Sequence, residues 1–186
     1  MVNADDILNA SILIVDDQDA NVQLLEHMLR DAGYRCITST MDPHAVCSLH
    51  RDNRYDLILL DLQMPGMDGF QVMEGLKEIE TDAYLPVLVI TAQPGHKLRA
   101  LNAGAKDFIS KPFDLMEART RIHNMLEVRL LYKQLEQYSR ALESLALHDA
   151  LTGLPNRRLL FDRLALAIAH ARRNKSTMAV MVLDLD

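Results

Sequence analysis

The sequence predicts an α/β chain: a doubly wound, five-stranded parallel sheet, then a long coiled-coil helix and the incomplete start of a second α/β unit. Three observations carry this reading. Short apolar, β-branched runs alternate with helix-spaced apolar residues as far as residue 113. From Asp114 no Pro or Gly interrupts a helical pattern until Gly153. After that turn only one helix pattern and one apolar run remain, too little to close a core.

Each element has a local reason. Ser11 to Val15 reads as a buried strand stopped by Asp16-Asp17. Val22, Leu25 and Leu29 then recur at helical spacing up to Gly33. Tyr34 to Thr38 is less apolar and reads as a strand near an edge, and about Asp42 to Arg51 as a short helix. Asp56 to Leu60 forms the third strand and ends at Asp61. The turn Pro65 to Gly69 opens a helix carrying Phe70, Met73 and Leu76. Pro86 to Ile90 is the fourth strand, Lys97 to Asn102 a short helix, and Lys106 to Ser110 the fifth strand. Strands alternating with helices imply parallel pairing through crossovers.

Within the long helix, Val128, Leu131, Leu135, Tyr138, Leu142 and Leu145 follow spacings of three and four. That is the a/d seam of a two-stranded coiled coil, and it predicts a homodimer through residues 128–145. A helix packed along its own domain uses a similar stripe. Beyond the turn, Leu160, Leu164 and Ile168 mark an inward helix face, and Met178 to Leu183 reads as a buried strand.

Composition excludes several classes. A net charge of -6 argues against nonspecific nucleic-acid binding. Arg157, Arg158, Arg163, Arg172, Arg173 and Lys175 lack a helix-turn-helix or aromatic context and read as a solvated helix face. No apolar run nears the ~20 residues of a membrane span, and the first residues lack the order of a signal peptide. The expectation is a cytoplasmic chain without nucleic-acid or membrane partners. Cys36 and Cys47 read as reduced thiols.

The chemistry lies at the strand ends. In open α/β sheets ligands bind beyond the carboxyl ends of the strands. Asp16-Asp17 closes the first strand and Asp61 the third, so neighbouring strands would bring three carboxylates together. Each pair at ~4 Å repels by about 4 kcal/mol at an effective dielectric of 20. Such a cluster must take up protons or a cation, and oxygen-only ligands favour Mg2+. Thr91 ends the fourth strand and Lys111 follows the fifth, a hydroxyl and an ammonium suited to phosphoryl oxygens. Asp61 is then the nucleophile. Any one of these residues alone is ordinary; their coincidence at four strand ends is not.

Those residues sit in Ile12-Leu13-Ile14-Val15-Asp16-Asp17, Leu59-Leu60-Asp61-Leu62-Gln63-Met64-Pro65-Gly66-Met67-Asp68-Gly69, Ile90-Thr91-Ala92 and Ser110-Lys111-Pro112-Phe113. With them, residues 11–125 resemble a response-regulator receiver domain, which has a flavodoxin-like fold. The resemblance implies Mg2+ held by Asp17, Asp61 and the backbone carbonyl of Gln63, with Asp16 acting through water. It implies Asp61 as phospho-acceptor, Thr91 and Lys111 as phosphoryl ligands, and a cis peptide bond before Pro112. The aromatic switch position falls on Phe108, which has no hydroxyl and would act through packing. A histidine kinase or phosphotransfer protein is the implied donor.

His148 to Arg158, with Leu151-Thr152-Gly153-Leu154-Pro155-Asn156 at its centre, resembles the opening of a GGDEF, or diguanylate cyclase, domain. Val182-Leu183-Asp184-Leu185-Asp186 fits the family's first metal-binding strand, with metal ligands implied at the Asp184 carboxylate and the Leu185 carbonyl. Only the start of that domain is covered, so GTP is implied as a partner of a complete parent protein alone, and this chain is expected to make no cyclic di-GMP.

The expected organisation is an extension over 1–10, a receiver over 11–125, a helical linker over 126–147 and a GGDEF fragment over 148–186. The expected function is that of a two-component response regulator. Phosphorylation of Asp61 would switch dimerisation and a C-terminal output of cyclic di-GMP synthesis. The alternative is a receiver that docks partners without phosphorylation and carries a degenerate output.

Overall fold

A computed structural model of the chain describes residues 2–79, 84–93 and 95–183. It divides into two compact units, residues 1–134 and 135–186. In the first, five parallel strands pair in the order β2-β1-β3-β4-β5. They are β1 (Ser11–Val15), β2 (Cys36–Thr40), β3 (Leu57–Asp61), β4 (Val87–Thr91) and β5 (Asp107–Ser110). Every residue of β3 and β4 is buried, as expected of strands covered on both faces. β2 lies at the edge with no fully buried residue, which suits its polar Thr38-Ser39-Thr40 end.

Side chains alternate between two cores because successive strand residues face opposite sides. Ile12, Ile14, Leu57 and Leu59 pack against α1 (Ala4–Leu8), α2 (Asp19–Asp31) and the start of α6 (Leu115–Leu147). Leu13, Ile58 and Leu60 pack against α3 (Val46–Asn53), α4 (Gly69–Ile79) and α5 (His96–Ala103). Fully burying one such Leu or Ile contributes about 1.5–3 kcal/mol. Two cores, one on each side of the sheet, hold the strand ends in place.

The first ten residues are more ordered than an extension. Asn3 and Asp6 form a reciprocal capping box at the start of α1, with bonds of 2.8 and 2.9 Å. Ile7 is buried, and Arg35 N–H donates to the Leu8 carbonyl at 3.0 Å. The Asn-x-x-Asp spacing was the available signal.

α6 runs without a break from Leu115 to Leu147, with Ala118, Ile122 and Leu126 in the core beside the sheet. Val128, Leu131, Leu135, Tyr138, Leu142 and Leu145 are all exposed, so the stripe is not packed along its own domain.

In the second unit, Asp149 Oδ1 accepts from Leu151 N, Thr152 N and Thr152 Oγ, closing the Gly-Pro turn. The hydrogen bonds from Thr152 hold the Asp149 carboxyl below its ordinary pKa. Asn156 Oδ1 then caps α7 (Arg157–Asn174) by accepting from Leu159 N at 3.1 Å. Two expectations fail here. α7 buries none of its residues, Leu160, Leu164 and Ile168 included. Met178 to Leu183 is exposed and forms no strand; no neighbour pairs with its backbone among the described residues. An apolar run alone does not make a strand. Asp184 and Leu185 lie outside the described residues.

Candidate functional site

The sheet order places β1 and β3 side by side, with Val15 opposite Leu60. The next residue on each strand line is therefore an acid, Asp16 beside Asp61. Asp16 and Asp61 are buried and Asp17 is half-buried. One carboxylate oxygen from each of the three lies within 4.8 Å of the other two.

The cluster is partly neutralised from β5. The Lys111 ammonium donates to Asp16 Oδ2 and to Asp61 Oδ2, both at 2.9 Å. Burial by itself would lower the Lys111 pKa. The hydrogen bonds and charges of Asp61 and Asp16 outweigh that, and the ammonium is held above its ordinary range. Three carboxylates against one ammonium still leave an excess of negative charge.

One side chain and one backbone N–H not picked out by sequence reading steady Asp16. Asn21, in the first turns of α2, donates its amide to Asp16 Oδ1 and Oδ2 at 2.9 and 3.0 Å, and Gln18 N donates to Oδ1 at 2.9 Å. The signal was an Asn one turn into the helix after an acidic strand end. Asp61 Oδ1 accepts from Gln63 N at 3.3 Å. Asp17 Oδ1 differs: it is buried and has no hydrogen-bond partner. An anionic oxygen removed from water and left unpaired costs several kcal/mol unless a cation meets it.

That orphan oxygen is the test of fit for a metal. Three hard carboxylate donors converge, one of them aimed at nothing in the protein, which is the donor chemistry of Mg2+.

The other expected residues surround this point. Thr91 is buried at the end of β4, one residue past Ile90, the register partner of Asp61. Its Oγ accepts from Gln93 N at 3.1 Å, and its carbonyl accepts from Lys111 N at 2.9 Å. The Lys111-Pro112 peptide bond is cis. Phe108 is half-buried and packs against the α3/α4/α5 core. Gly69 is a further site residue. A Cβ there would sit 2.6 Å from the Asp61 carbonyl oxygen and 2.9 Å from Leu62 Cα. Only glycine lets α4 begin directly against the loop that follows Asp61.

Among the described residues no helix is long and apolar enough to cross a membrane.

Comparison with known proteins agrees with this geometry. The profile of the response regulator receiver domain matches residues 12–123, and that of the diguanylate cyclase GGDEF domain matches residues 146–186. The chain is 40% identical over 132 residues to the response regulator PleD of Caulobacter vibrioides, covering 70% of this chain and 29% of that protein. It is 32% identical over 166 residues to the cyclic di-GMP phosphodiesterase response regulator RpfG of Xanthomonas campestris, covering 88% of this chain and 44% of that one. It thus spans less than half of either relative. A solved receiver domain of a sensor histidine kinase from Pseudomonas aeruginosa, with a magnesium ion coordinated in its active-site cleft, is 30% identical with a TM-score of 0.59. That match covers 64% of this chain and 98% of the other. The chain belongs to the response regulator receiver domain family and carries part of a GGDEF domain after its long helix.

Proposed function

We propose that this chain is the phosphorylation-controlled input of a two-component regulator, with Asp61 accepting a phosphoryl group from a histidine kinase or phosphotransfer protein. The observation that carries the reading is the triad of Asp16, Asp17 and Asp61, bridged by Lys111 and including one orphaned carboxylate oxygen. An Asp61 oxygen attacks the phosphorus of the donor. The new P–O bond forms as the donor's P–N bond breaks, and the imidazole leaves with the bonding pair and takes a proton. A bound Mg2+ would supply charge neutralisation between the carboxylates and the incoming phosphoryl oxygens. Asp17, Asp61 and the Gln63 carbonyl would hold it, with Asp16 acting through water.

Lys111 would exchange part of its contact with Asp61 for a phosphoryl oxygen, and Thr91 would turn its hydroxyl to another. Phe108, lacking a hydroxyl, would follow through packing. Phosphorylation replaces the single charge of the Asp61 carboxylate by a phosphoryl group carrying roughly two, a net gain of about one negative charge at one strand end, enough to bias two packings that differ by a few kcal/mol. In this reading a receiver over 11–125 drives a linker over 126–147 and a GGDEF fragment over 148–186. The exposed stripe from Val128 to Leu145 pairs with a second copy. Cyclic di-GMP synthesis is the output of the parent protein.

Incubation with acetyl phosphate and Mg2+ tests the core of this. Intact-mass measurement should show one added phosphoryl group, lost in Asp61→Asn and without added metal. A folded wild-type chain that takes up no phosphoryl group under these conditions would refute it.

A further inference from the structure

The buried face of α6 changes character along its length. Ala118, Ile122, Met125 and Leu126 are apolar and buried. Arg129, Tyr132 and Lys133 continue that side of the helix at spacings of three and four, with Tyr132 exposed and Lys133 half-buried. Arg129 is only 3% exposed. It donates Nη1 to the Tyr84 carbonyl just ahead of β4, and its Nε lies 3.8 Å from Asp56 Oδ1. Lys133 forms an ion pair with the same Asp56 oxygen. The Tyr132 ring stacks on Tyr84 with centroids 4.7 Å apart and planes 11° from parallel. The other oxygen of Asp56 accepts from the backbone N–H and the hydroxyl of Ser11, both at 3.1 Å.

We infer that Asp56 is the anchor of a clamp that locks α6 in one rotational setting on the amino-terminal edge of the sheet. Apolar burial is non-directional, so Ile122 and Leu126 by themselves would tolerate a helix that rolls or slides. The hydrogen bonds of Lys133 to Asp56 and of Arg129 to the Tyr84 carbonyl are directional, and the Arg129 charge lies 3.8 Å from the same buried carboxylate. A turn of one residue, roughly 100° at 3.6 residues per turn, would carry Arg129 and Lys133 away from it. The stranded charge would then be strongly destabilising. Val128 and Leu131 lie outside this face and are exposed. The clamp therefore decides which apolar face of α6 the receiver presents. Asp56 precedes β3 and Asp61 ends it, so one strand carries the anchor and the acidic site at its two ends. The inference rests on the geometry of α6 and stands whether or not Asp61 accepts a phosphoryl group.

Hydrogen exchange on the full chain tests it, with Asp56→Asn, Lys133→Met and the pair. In Asp56→Asn, exchange over residues 127–134 should accelerate by at least about tenfold, the factor expected from losing a charge-assisted hydrogen bond. Peptides from β4 should be unchanged. Lys133→Met should give a smaller local rise, and the double variant little beyond Asp56→Asn, because both remove one pairing. Wild-type exchange over residues 127–134 in both single variants would overturn the clamp. So would acceleration spread evenly over the whole domain in Lys133→Met, whose side chain is partly exposed and whose fold is expected to survive. Uptake of phosphoryl groups from acetyl phosphate, measured on the same samples, reports on Asp61 separately.

Discussion

The Lys111 ammonium lies 2.9 Å from the Asp61 carboxylate, joining β5 to β3 across 50 residues of sequence. This contact sets the resting state of the site. The cation occupies one face of the carboxylate that the proposed chemistry must free. The first prediction follows. A Mg2+ ion at the triad would sit near a full positive charge, and Lys111→Met removes it. Mg2+ should then bind about tenfold more tightly, from roughly 1.4 kcal/mol of relieved repulsion, while phosphoryl uptake from acetyl phosphate falls. Titration calorimetry with magnesium chloride, followed by intact-mass measurement, checks both halves.

Asp17 carries the orphaned oxygen, so its loss should have opposite effects with and without metal. In chelator, Asp17→Asn removes like-charge repulsion worth up to about 4 kcal/mol and should melt above the wild type. With Mg2+ at a hundred times its Kd the wild type should gain about 2.7 kcal/mol, and the variant far less. Paired thermal melts in chelator and in Mg2+ decide it. Parallel responses of the two proteins would place the metal elsewhere.

Gly69→Ala tests the close approach of α4. The added methyl would meet the Asp61 carbonyl oxygen and Leu62 Cα, both backbone atoms that cannot swing aside. A loss of about 1–3 kcal/mol in urea unfolding is expected, together with slower phosphoryl uptake, because the loop that moves is the one after Asp61.

Alkaline stability should report on Tyr34, which is buried in the core packed against α1, α2 and α6. Burial pushes its hydroxyl pKa above the ordinary 10.0, with Arg119 pulling weakly the other way. The folded state thus keeps a proton that the unfolded state releases first. Its contribution is complete below pH 10.0 and is lost as pH rises toward the raised folded value. Urea midpoints measured from about pH 8 to about pH 11 should fall less steeply in Tyr34→Phe than in the wild type. Equal slopes would show that the buried hydroxyl does not contribute.

How far the sequence could be read depends on the range of each interaction. Leu57 to Leu60 announce a central strand because four consecutive apolar residues are buried on both faces, and the acid that follows marks the strand's end. The same local logic found β1 and β4. It also proposed a strand at Met178 to Leu183, and there it failed. Residues 178–183 have the right composition, but a strand exists only through a neighbour's backbone, and composition says nothing about neighbours.

Periodicity and strand- or helix-ending residues are properties of neighbouring positions, and they were enough to identify the α/β class, the acids at the strand tips and the long helix before Gly153. Other features were settled by packing: Asn21 gripping Asp16, an oxygen of Asp17 with no partner, Gly69 pressed on the loop after Asp61, and Asp56 meeting Lys133 from 77 residues away. Such contacts depend on where folded elements come to rest, and no short-range pattern along the chain encodes that.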